Sequence, residues 1–129
     1  MKHLFLVFSV FFVLISCSRH VYDINSVSKY ATNVFGKQFA IKMNKTETYA
    51  IIIHKEKVLT NLFADVHFII YDVKANKDIM NGILKQGNIS WVTTDEIMTI
   101  SIEPSNDKDQ LHEKKIFYYD INEIKKHNN

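Results

Sequence analysis

The chain has 129 residues, 47% of them apolar and 23% charged, with 16 Lys+Arg against 14 Asp+Glu. That length supports one domain, and that balance excludes a disordered or collagen-like chain and gives no electrostatic case for nucleic acid. A single cysteine excludes an intramolecular disulfide framework and any CxxC redox or zinc-ribbon site.

Met1-Lys2-His3 is a short polar start with one fixed positive charge, and Leu4 to Ile15 runs apolar apart from Ser9. Twelve helical residues cover about 18 Å, well short of the roughly 30 Å hydrocarbon core. A charged start followed by a short apolar run has the form of a secretory signal peptide. The run ends Leu14-Ile15-Ser16-Cys17. This resembles the lipobox of bacterial lipoproteins: Leu, a small or aliphatic residue, a small residue, then Cys, with the chain's one cysteine at the required place.

The resemblance covers residues 1–17 only. It implies that residues 1–16 are a signal peptide cleaved after Ser16. It also implies that the Cys17 thiol takes a diacylglycerol and that the freed amine takes a further acyl chain such as palmitate. Several acyl chains anchor stably where one binds marginally. The protein is then expected to be membrane-anchored in the bacterial cell envelope. Ser18, in place of an Asp after the cysteine, directs the expectation to the outer membrane. Removing the first 16 of 129 residues leaves 113, enough to bury a core. Every basic side chain but Arg19 is a lysine, and arginine is the preferred residue for bidentate phosphate contacts.

Residues 17–22 read as a lipidated tether and 23–129 as one small domain. Ile24, Val27, Ala31 and Val34 recur at spacings of three and four, with Tyr30 and Phe35 widening the face. This predicts a helix over 24–35, with Asp23 as N-cap and Gly36 as its stop. Phe39, Ile41 and Met43 then alternate with polar or small residues, as in a half-buried strand. Asn44-Lys45 is a turn. Tyr49 to Ile53 and Val66 to Tyr71 are apolar on both faces, as in central strands covered on both sides. Residues 55–61 are ambiguous.

The Lys74–Lys77 turn leads into a return strand over 78–84, and Gln86-Gly87-Asn88 is the next turn. Ile89 to Val92 is a strand carrying Trp91. Met98, Ile100 and Ile102 alternate with Thr99, Ser101 and Glu103, a one-sided strand whose apolar side is expected to cover the indole. Pro104 ends it. Residues 105–114 read as a polar loop, 116–121 as the last strand and 123–129 as a frayed polar tail. The expected fold is α+β: the N-terminal helix packed on an antiparallel meander sheet of about five to seven strands. A small all-β sandwich or barrel is the alternative.

The chemistry-bearing residues form few patterns. After His3, the histidines His20, His54, His67, His112 and His127 show no HxH, HxxxH or HExxH spacing, although His54 and His67 could meet across neighbouring strands. Asp107, Asp109 and Glu113 cluster in a loop without the glycine a calcium loop needs. There is no G-x-S-x-G elbow, and Gly36, Gly82 and Gly87 stand too far apart for a phosphate loop. Asp65, Asp72 and Asp78 flank strands, where aspartates usually form turns. No catalytic residue, metal or cofactor is therefore assigned. Phe117 and Tyr119 face opposite to Tyr118 on the last strand, so one face is core and the other exposes an aromatic. Tyr118 and Tyr119 are the candidate binding residues and Cys17 the lipid-attachment residue. The expected role is a non-enzymatic envelope lipoprotein that binds another protein, in an envelope assembly or as an inhibitor or immunity-type protein. The alternative is a carrier of a small apolar ligand.

Overall fold

The computed structural model describes residues 24–55, 64–105 and 111–128. Helix α1 (Ile24–Phe35) buries Val27 and Ala31. It stops at Gly36, whose φ of 72° lies in the left-handed region and whose N–H donates to Thr32 O at 2.9 Å. Asp23 and Cys17 lie outside the described residues.

Strands β1 (Ala40–Met43), β2 (Tyr49–Lys55), β3 (Val66–Asp72) and β4 (Lys77–Leu84) form one antiparallel sheet in chain order. Strands β5 (Asn88–Trp91), β6 (Glu96–Pro104) and β7 (His112–Asp120) form a second, also antiparallel. Alternate residues of β2 and β3 point to opposite faces. One face places Ala50, Ile52, Ile69 and Tyr71 against Val27 and Ala31 of α1. The other places Ile51, Ile53, Phe68 and Ile70 against Ile89 and Ile97 of the second sheet. The layers run helix, sheet, sheet.

The single meander sheet is thus corrected to two packed sheets, which brings in part of the sandwich alternative. The break falls at Lys85–Gly87. Gln86 has φ 45°, and a Cβ on Gly87 would stand 2.2 Å from Ile100 O. Lys85 O accepts from Ile102 N at 2.9 Å, and Asp65 takes the Lys85 ammonium at 2.6 Å. The chain therefore crosses to the other layer, and β5 pairs with β6 instead of extending beyond β4.

The two sheets are tied at one side by Trp91, whose indole N–H donates to Lys42 O at 2.9 Å, and by Asn44, whose amide donates to Thr94 O at 2.8 Å. At the other side stands a second helix, α2 (Ile121–His127), where the sequence read as a frayed tail. Asp120 caps it by accepting from Asn122 N, Glu123 lies in its first turn, and Lys125, Lys126 and His127 lie in its last. Ile121 is fully buried, Lys125 donates to Asp72 at 2.7 Å, and Asn128 donates to Ile79 O at 2.6 Å. Two apolar side chains are a faint sequence signal, and tertiary contacts stabilise the helix. The loop expected through 114 also gives way, because β7 begins at His112.

Trp91 is half-buried and packs on the core between the sheets. It lies opposite Ile97, not beneath Met98, Ile100 and Ile102. On β6 the buried residues are Ile97, Thr99 and Ser101, so the strand presents the face opposite to the expected one.

Candidate functional site

The outer face of the second sheet is built from alternate residues of β6 and β7. The register sets Met98 beside Tyr118, Ile100 beside Ile116 and Ile102 beside Lys114. Met98, Ile100 and Ile102 are half-buried, whereas Ile116 is 44% exposed and Tyr118 59%. On the face towards the first sheet, Phe117 remains 50% exposed, with its ring 6.4 Å from Tyr119. Tyr119 is half-buried against the core. The two candidate tyrosines are therefore placed differently: Tyr118 stands in the open apolar face, and Tyr119 packs inward. Phe117 and Ile116 complete the exposed group, and the register of β6 against β7 is what reveals them.

A one-residue slip in a strand exchanges all its inward and outward side chains. β6 carries three large apolar residues outward and buries a threonine and a serine. Core burial alone would favour the reverse. At the far end of the strand Glu103 accepts from Ser101 Oγ at 3.4 Å and from Lys115 at 2.6 Å. The Lys115 hydrogen bond and charge hold the Glu103 carboxyl below its usual range.

The remaining candidates lie elsewhere among the described residues. His54 and His67 do face each other across β2 and β3, with ring centroids 6.1 Å apart. His54 Nδ1 lies 2.5 Å from Gln38 O, and Phe35 stacks on its ring. Among the described residues no group of three His, Cys, Asp or Glu could hold a metal ion. Asp107 and Asp109 lie outside them. Asp72 accepts from Ala75 N at 2.9 Å as a turn former, and it is 3% exposed. Its burial pushes the carboxyl pKa up, but the Lys125 hydrogen bond and the Ala75 and Lys74 N–H groups outweigh that and hold it low. Asp65 pairs with Lys85, Asp72 with Lys125 and Asp78 with Tyr30.

No S-x-x-K motif is expected from the sequence; this is corrected, because Ser26 and Lys29 stand at that spacing on α1. They line an open cleft of about 500 Å³ with Tyr30, Tyr71 and Asn76. Lys29 is exposed to solvent, and Tyr71 Oη donates to Asn76 at 2.7 Å. A Ser–Lys nucleophile needs a desolvated lysine, which an exposed side chain does not supply. A second cleft, of about 470 Å³, opens beside Phe39, Ala40 and Ile53, with Lys42 and Lys55 on its rim. No protein-family model matches the chain, and neither a curated protein nor a solved structure is similar to it. Among the described residues no helix is long and apolar enough to cross a membrane.

Proposed function

We propose that the chain is an envelope lipoprotein, anchored through Cys17 and probing its surroundings with the open face of the second sheet. It acts as a non-enzymatic protein-interaction module. The observation that carries this reading is the inverted pattern of β6: Met98, Ile100 and Ile102 face outward while Thr99 and Ser101 are buried. Beside these half-buried side chains Ile116 and Tyr118 are exposed, and contiguous exposed apolar surface on a small domain marks a contact surface. Aromatic residues such as Tyr118 are favoured in such contacts. A filled core supports the same reading over the carrier alternative, since Ile51, Ile70, Ile89 and Ile97 are fully buried between the sheets and both clefts described above are open to the surface.

The anchor fits this arrangement. Six residues lie between Cys17 and Ile24, a reach of at most about 25 Å. Ile24 begins α1, and the open face is the layer on the far side of both sheets. A partner in an envelope assembly, or an enzyme or toxin held in check, would approach from that side.

The test is affinity purification of the tagged lipoprotein from membranes, beside the variant Met98→Thr/Ile100→Thr/Ile102→Thr. A protein recovered with the wild type and lost from the variant supports the reading. Equal recovery from both overturns it. Separately, Cys17→Ala should abolish labelling by a radioactive or clickable fatty acid and leave precursor or soluble protein. Unchanged labelling would remove the anchor from the account.

A further inference from the structure

We propose that β7 pairs with β7 of a second copy, joining the two second sheets into one six-stranded sheet. The inference rests on the interaction reading above, because it extends the same face, but it concerns the strand's edge. Among the described residues β7 is the terminal strand of its sheet and runs nine residues, with no bulge in its register against β6. Long unbroken edges present a row of free backbone groups and pair readily unless they are blunted.

The strand is complementary to itself. A two-fold axis through an antiparallel strand pair runs perpendicular to the sheet and sets one residue opposite its own copy. With Phe117 on the axis, Ile116 meets Tyr118 twice and Lys114 meets Asp120 twice. Moving the axis to Ile116 sets Lys114 against Tyr118 and Glu113 against Tyr119. Moving it to Tyr118 sets Ile116 against Asp120. The Phe117 register also sets Lys115 against Tyr119 on the inner face, but of the three it alone pairs apolar with apolar and lysine with carboxylate on the open face, and such cross-strand pairs are what fix register. Asp120 gives one oxygen to Asn122 N at 2.7 Å and keeps the other for Lys114.

The axis direction has a consequence for anchoring. It leaves both α1 layers on the same side of the joined sheet, so two tethers enter one membrane. The open faces of both copies then turn away from that membrane as one continuous surface.

Disulfide cross-linking of the full chain in membranes tests this, with the lipid on Cys17 occupying the native thiol and the wild type as control. Directly opposed residues place their Cβ atoms about 4.5–5.5 Å apart, close enough to oxidise. Phe117→Cys should give a covalent dimer. Ile116→Cys alone should not, and Ile116→Cys/Tyr118→Cys should. No more dimer from Phe117→Cys than from the wild type, or equal dimer from Ile116→Cys alone, overturns the pairing. A second measurement avoids the new cysteines. In mild detergent the wild type should sediment as a dimer and Tyr118→Lys as a monomer with unchanged melting. A monomeric wild type overturns the pairing by itself. A monomer that still recovers a partner through Ile100 overturns the pairing and leaves the interaction reading standing.

Discussion

The two sheets are made of similar residues but are covered differently. In the first, β2 and β3 bury most of their side chains, because α1 packs on one face and the second sheet on the other. In the second, β6 alternates buried with half-buried, and β7 is mostly exposed. The first sheet spends its apolar residues on folding. The second keeps Met98, Ile100, Ile102, Ile116 and Tyr118 on a face that no described element covers. Where an apolar side chain lies, and not how many there are, separates stability from recognition.

Two isoleucines of one strand give the largest contrast. Ile97→Ala removes a fully buried side chain and should cost about 2–5 kcal/mol, whereas Ile100→Ala should cost less than about 1 kcal/mol. Urea unfolding of both variants checks this, and equal losses would erase the difference between the faces. Gly87→Ala should cost about 3 kcal/mol, since its Cβ would collide with the Ile100 carbonyl and reopen the corner that separates the sheets. Its unfolding midpoint would fall well below that of Gly36→Asn, which keeps a residue tolerant of the left-handed region.

Trp91 bridges the sheets from a half-buried position, so Trp91→Ala should cost about 2–3 kcal/mol, less than for a fully buried indole. Its emission should be blue-shifted and partly protected from iodide. Emission like that of free tryptophan would detach it from the core.

The smallest effect concerns α2. Asp72 is held below its ordinary value of 3.8, so its contribution is present above that value and is lost as pH falls through the lower folded one. Lys125 is raised by the same pair, so its contribution holds through neutral pH and fades only in strong alkali. Stability should drop in acid more steeply for the wild type than for Asp72→Asn. Parallel acid profiles would show that the pair does not hold α2.

Much of this was legible in the sequence where periodicity was unambiguous. The helix over 24–35 follows from spacings of three and four, and β3 from a run apolar on both faces. The failures share a cause. Met98, Ile100 and Ile102 alternate cleanly, and alternation identifies a strand without saying which side is the core. The corner at Lys85–Gly87 resembles any hairpin turn, because the close approach that needs a glycine there is to Ile100, far along the chain. α2 is held by Asp72, Tyr49 and Ile79, none of them local. Of the site, Tyr118 and Tyr119 were legible as strand aromatics on opposite faces, but which of them is exposed, and the part played by Ile116 and Phe117, needed the register.

The most direct test of the open face places a photo-cross-linking phenylalanine at Tyr118 and, as a control, at Lys29 on the opposite layer of the full chain in membranes. The account predicts a discrete cross-linked protein species from position 118 and none from position 29. Bare chain at both positions, or the same species from both, would contradict it.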